Sequence, residues 1–205
     1  MEKFLALSEE KQKNIIDVAL AIFGKMGYKK SSMNDIATAA GISKGLVFHY
    51  FGNKKALYQY LIKISGDILR GEMNSQLVKN SSDFFDRLKL VTETKMLVMK
   101  KHPAILLFVG SVYCETDEDV ADSIKDMLLQ GEAFRGGLAF EGMDASKFKE
   151  GVDPQLVLNI LVKFSEGYVS SSPNMAELDF DKLLSEFDAC LDLMKENFYK
   201  EEFLK

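Results

Sequence analysis

Apolar residues recur along this chain at spacings of three and four, the signature of helices with one buried face, and no stretch alternates convincingly enough to predict a strand. Ile15, Ile16, Ala19, Ile22, Phe23 and Met26 form the buried stripe of a first helix. Ser8 caps it, Glu9 and Glu10 favour its dipole, and Gly27 ends it. Met33, Ile36, Ala37 and Ala40 fall at i, i+3, i+4 and i+7 on a second helix, where Ser32 and Asp35 have the spacing of a capping box. Gly41 stands where that helix must stop, because glycine takes the left-handed conformation without a Cβ clash. Ile42 plugs the corner. Ser43 then caps a short third helix, Lys44 to Phe51, with Val47 and Phe51 inward and Lys44, Gly45, Phe48 and His49 outward.

Downstream, Asn53 is the expected cap of a fourth helix, Lys54 to Arg70, bearing Leu57, Tyr60, Leu61, Ile64 and Ile68 on one side. The polar run Lys79 to Asp83 predicts a loop, with Ser82 as the next cap. Helices follow at about Asp83 to Lys101, Ala104 to Val112 and Glu118 to Gly136, and His102-Pro103 separates the first two. One short helix is expected around Ala145 to Glu150. Asp153-Pro154 pairs a cap with proline at the first helical position and opens a helix carrying Leu156, Val157, Ile160, Leu161 and Phe164. A polar break, Ser170 to Asn174, precedes a last helix from Asp179 to Tyr199. The predicted fold is all-α with about nine or ten helices: a three-helix head over residues 1–53 and a helical-bundle body over 54–205, linked by helix four at 54–70.

Two short helices crossing at a steep angle over a glycine turn form a helix-turn-helix, whose second helix enters the DNA major groove. On that basis Ser31, Ser32, Ser43, Lys44, Tyr50, Lys54 and Lys55 are candidates for phosphate contacts. Gly45, Leu46, Phe48 and His49, with Asn34 on the preceding helix, are candidates for base contacts.

These residues resemble the tetracycline-repressor (TetR) family of bacterial transcription regulators. The likeness runs over roughly residues 8 to 65 and is carried by Phe23 to Tyr28, the hydroxyls of Ser31 and Ser32, the turn Ile36 to Ser43, His49 to Phe51, and the lysine-rich Asn53 to Leu57. Leu46 and Phe48 depart from the small polar residue and the tyrosine that many members carry, so the bases read do not transfer. The resemblance implies a homodimer joined through the last two helices, a palindromic operator on double-stranded DNA, and release by a small effector bound in the body. A charge at Leu184 or Leu191 is expected to break such a dimer.

Charge supports this division. Residues 1–60 carry a net +4 and residues 61–205 a net −9, within an overall −5. Cys114 and Cys190 lack the spacing of a metal site or disulfide framework and read as buried small residues. Neither His49 nor His102 sits in a ligand pattern, and no nucleophile-elbow or phosphate-loop motif is present, so neither enzyme, metal nor cofactor is predicted. The acidic stretch Glu115 to Asp126 reads as a solvated face. With no signal peptide and no membrane-length apolar run, a cytoplasmic protein is expected. Phe84, Leu88, Met96, Phe108, Tyr113, Phe134, Phe164 and Tyr168 are candidate effector contacts. Because no lysine or arginine stands out among them, an uncharged or cationic hydrophobic effector is favoured. The competing possibility is an all-helical small-molecule-binding protein or enzyme without DNA binding.

Overall fold

A computed structural model describes residues 1–73, 80–170 and 179–204. Among them are ten α-helices: α1 (Glu2–Leu5), α2 (Glu9–Lys30), α3 (Met33–Ala40), α4 (Lys44–Phe51), α5 (Lys54–Met73), α6 (Phe84–Lys101), α7 (Pro103–Tyr113), α8 (Ala121–Phe140), α9 (Pro154–Ser170) and α10 (Phe180–Phe198). An isolated antiparallel bridge joins Phe148 to Tyr199, and Ala145–Lys147 is a short 3-10 turn. Most of the polar break expected at 170–174 lies outside the described residues. The described chain forms two compact units, Met1–Leu69 with Met99–Gln130 and Arg70–Val98 with Gly131–Lys205. The boundary at residue 53, drawn by motif, thus falls inside the first unit.

In the first unit, one apolar cluster takes in Phe4, Ile15, Leu20, Phe23, Tyr28, Ile36, Val47, Phe51, Leu57, Tyr58, Phe108 and Val120. Helix α2 packs on α7 at a junction where a side chain larger than glycine's would press on backbone. A Cβ on Gly24 would lie 3.0 Å from the backbone carbon of Leu107 and the amide of Phe108. The α2 stripe is shifted from the expected one: Leu20 is buried and Met26 exposed. Gly27 does break the helix, at φ 71°, but one further turn carries the chain to Lys30. Helix α1, unforeseen in the sequence, brings Phe4 into the cluster beside Phe51 and Tyr60. The acidic stretch is more than a solvated face. Glu115 accepts the Tyr28 amide at 2.6 Å, and Asp119 accepts the Tyr28 hydroxyl and lies 3.5 Å from the Lys55 ammonium. Burial, the bond to Asp119 and the surrounding carboxylates raise the Tyr28 pKa, so the phenol stays protonated.

In the second unit, Phe84, Phe85, Phe148, Leu158, Leu161, Leu191 and Tyr199 form a second cluster. At its edge stands Asp83, nearly buried. Its carboxylate caps α6 by accepting the amides of Phe85 and Asp86, both at 3.1 Å, so Asp83 takes the role expected of Ser82. It also meets Lys147 at 2.9 Å and Lys195 at 3.3 Å, and accepts a bond from the Tyr199 hydroxyl at 3.3 Å. Burial works to raise its pKa. The bonds from Lys147 and Asp86 and the two positive charges outweigh that effect and hold the carboxyl below its ordinary range. Arg87, 1% exposed, donates to the Glu141 carbonyl at 2.6 Å just beyond the α8 C-terminus, where a cation is favoured by the helix dipole. Two expectations fail here and in the first unit. Cys114 is exposed rather than buried, with Cys190 half-buried, and Leu191 is a core residue rather than an interface one.

Candidate nucleic-acid interface

The α3–α4 pair is set by its own capping bonds. The Ser32 hydroxyl accepts the Asp35 amide at 3.2 Å, and the Asp35 carboxylate accepts the Ser32 amide at 3.1 Å, which closes the capping box. Gly41 ends α3 at φ 70°. The Ser43 hydroxyl accepts the Leu46 amide at 3.3 Å and starts α4. Val47 and Phe51 are buried beneath α4, which forces Lys44, Gly45, Leu46, Phe48 and His49 to its outer side. Leu46 and Phe48 are each 40% exposed, a costly display of apolar surface that a thymine methyl could cover. Lys44 reaches over the Phe48 ring, 5.8 Å from its centroid, and Asn34 is exposed on α3. Sequence reasoning missed Lys3, which with His49 lines a shallow depression where α1 packs on α4. The signal available was Phe4, an aromatic residue four positions before the cap Ser8, which could have belonged to a short helix of its own.

Other candidates are occupied internally. Ser31 is 3% exposed and its hydroxyl donates to the Gly27 carbonyl at 2.6 Å, so it closes the α2 kink instead of facing solvent. The Lys54 ammonium donates to the carbonyls of Tyr28 at 3.0 Å and Ser31 at 3.3 Å and lies 4.1 Å from the Tyr28 ring centroid. It ties the start of α5 to the end of α2. Tyr50 is half-buried against Phe4, His49 and Phe51. Lys55 is exposed at the margin, near Asp119.

The eight candidate effector contacts are not brought into one cluster. Phe84, Leu88 and Phe164 belong to the cluster around Tyr199, with the Tyr168 ring tilted against that of Phe164 at 6.4 Å between centroids. Phe134 belongs to a small cluster with Met73, Leu90, Val91 and Leu138. Phe108 is core in the first unit, between Phe23 and Tyr58, whereas Tyr113 is exposed there and Met96 is buried in the second.

Residues 15–61 match the family described as bacterial regulatory proteins, tetR family. The fatty acid metabolism regulator protein of Bacillus subtilis (strain 168) is 25% identical over 158 residues, covering 74% of this chain and 77% of that protein. The transcriptional repressor KstR2 of Rhodococcus jostii is 22% identical over 148 residues and 72% of each chain. Among solved structures, FadR from Bacillus subtilis in complex with stearoyl-CoA aligns with a TM-score of 0.71 at 21% identity, covering 89% of this chain and 96% of that one. The capped helix-turn-helix lies within the matched residues, so residues 15–61 form a DNA-binding domain of the tetR type, and along most of its length the chain is similar to transcriptional regulators.

Proposed function

We propose that this chain is a homodimeric, cytoplasmic repressor that leaves a palindromic operator when a small hydrophobic effector binds the body, residues 54–205, while residues 1–53, with Lys55 at the start of α5, carry the DNA contacts. It acts by binding rather than catalysis. The observation that carries this reading is the outer side of α4, where a cation, a histidine and two exposed apolar side chains surround Gly45 on a helix held rigid from beneath. In the proposed site Asn34, Ser43, Lys44, Gly45, Leu46, Phe48, His49 and Lys55 face DNA. Ser31, Lys54 and Tyr50 support them from behind. No single helix among the described residues is long and apolar enough to cross a membrane.

Effector release is supported by the relatives, one named for fatty acid metabolism and one solved with stearoyl-CoA. It is supported too by α5 and α8, each of which runs from one compact unit into the other and so can carry a displacement between them. The dimer is supported by Leu156 and Ile160 on α9 and by Leu193 on α10, the last 62% exposed. A C2 dimer presents two recognition helices, so half-sites about 34 to 36 Å apart, or a multiple of that, are expected.

The test is selection of bound duplexes from a random pool, followed by gel shift over a salt series. A palindromic consensus with salt-sensitive affinity is the expected result. Failure to retain any duplex at low salt would reject the reading in favour of a helical ligand carrier. Sedimentation of a Leu193→Glu variant examines the dimer, which is expected to dissociate.

A further inference from the structure

Helix α1 is a single turn, too short to be stable by itself, so its place depends on what fastens it. The Phe4 ring is fully buried, with its centroid 4.8 Å from that of Phe51, 5.9 Å from that of Tyr60 and 6.2 Å from that of Tyr50. The side-chain amide of Gln12, on α2, donates to the carbonyls of Leu5 at 3.2 Å and Leu7 at 2.8 Å, which the end of the turn leaves open. The turn is thus tied to α2 at one end and, through Phe4, to the C-terminal half of α4.

That mounting decides where Lys3 stands. Lys3 is exposed, and with Met1, Glu2 and His49 it lines the shallow depression beside α4. Lys44 opens α4 on the same outer side that carries His49, and the rise of a helix places His49 about 7.5 Å further along the axis. The exposed pair Leu46 and Phe48 therefore has one lysine at the N-terminal end of α4 and another, Lys3, beside its C-terminal end. Neither lysine meets a carboxylate among the described residues, whereas Lys13, Lys55 and Lys63 of the same unit are each held in an ion pair. Unpaired lysines are common on surfaces. Lys3 differs in having its backbone fixed against α4, so its ammonium loses less freedom on binding than one on a loose segment would.

We infer that Lys3 is a further DNA contact, its ammonium binding a backbone phosphate beside the groove that α4 enters, at the opposite end of that helix from Lys44. This rests on the reading of α4 as the recognition helix and extends the interface to a segment outside the matched residues 15–61. The ammonium makes the contact, and α1 is only its mount. A phosphate contact of this kind adds affinity without sequence preference, because phosphates are alike along a duplex. Glu2 lines the same depression, so its carboxylate opposes what Lys3 favours. Neutralising these two neighbours should change DNA affinity in opposite directions, a pattern that loss of folding does not produce.

The test measures binding by fluorescence anisotropy over a potassium chloride series, with the full-length protein against a duplex selected from a random pool and an unrelated duplex of the same length. Lys3→Gln should weaken both complexes and flatten the log-log salt dependence by about one unit per half-site, while Lys3→Arg should keep the wild-type slope. Glu2→Gln should tighten both complexes at low salt. All three variants should melt as wild type does, since both side chains are exposed. A Lys3→Gln protein with the wild-type slope overturns the contact whatever its melting temperature, because lost stability lowers the active fraction without changing the number of counter-ions released. A Glu2→Gln protein that binds no tighter overturns it as well. If wild type itself holds neither duplex at low salt, the DNA-binding reading falls and this contact with it, whereas wild-type binding with an unaltered Lys3→Gln slope rejects the contact alone.

Discussion

The α3–α4 pair and the hub at Asp83 both rest on a carboxylate that caps a helix, but the two differ in where their remaining partners come from. Asp35 finds its partner, Ser32, three positions away. Asp83 also caps locally, yet it is surrounded by Lys147, 64 positions on, and by the hydroxyl of Tyr199, 116 positions on. The first arrangement is exposed and modest in energy. The second is nearly buried, so each charge there depends on the others for compensation. A local device sets the shape of a surface, whereas a non-local one holds distant segments of the chain together.

The contrast is broken most severely at Asp83. Asp83→Ala leaves Lys147 and Lys195 without their buried counter-charge and should destabilise the protein by about 3 to 5 kcal/mol, read from urea midpoints. The sign with pH follows from the lowered pKa. The group contributes its stability above the unfolded carboxyl value of about 4 and loses it as pH falls through the lower folded value. Asp83→Asn should therefore flatten the fall in stability below about pH 4, and an unchanged acid limb would count against the hub.

Gly24 and Gly41 sharpen the same contrast. Gly41 has open space around it but a left-handed backbone, so Gly41→Ala should cost about 1 to 2 kcal/mol whatever its neighbours do. Gly24 has an ordinary helical backbone but no room against Leu107. Gly24→Ala should cost about 1 to 3 kcal/mol, and a compensating trim of α7 cannot easily restore it because the obstruction includes backbone. Thermal melts of the pair would test both, and a neutral Gly24→Ala would mean that α2 and α7 pack less closely than described.

At the surface the expected effects shift from stability to recognition. Phe48→Ala should leave the melting temperature unchanged, since the ring is largely outside the core, yet lose about 1 to 3 kcal/mol of preference at an A·T pair. A drop in melting temperature would reassign the ring to packing. Smallest is a difference between two lysines. Lys44→Ala should flatten the log-log salt dependence of operator binding by about one unit per half-site. Lys54→Ala should weaken binding with little change in slope, because its ammonium is committed to the carbonyls of Tyr28 and Ser31.

That lysine pair marks the limit of what could be read along the chain. Both residues stand at helix starts in a basic segment, and nothing in the local pattern separates a free ammonium from one engaged by carbonyls more than 20 positions earlier. The same holds for Ser31 against Ser32. Their hydroxyls are chemically alike, but one closes the kink at Gly27 and the other forms the capping box.

Periodicity, caps and turn glycines, read by themselves, determined the all-helical class, the α3–turn–α4 geometry, the outward set on α4 and the start of nearly every later helix. Each depends on contacts spanning a few residues, whose energetics the residue types carry with them. Only the tertiary structure decided that Phe108 joins the core of the head-bearing unit, that Leu191 is core while Leu193 is exposed, and that Asp119 grips Tyr28. Those pairings join residues far apart in sequence, and a periodic pattern specifies which face of a helix is buried without specifying what it is buried against.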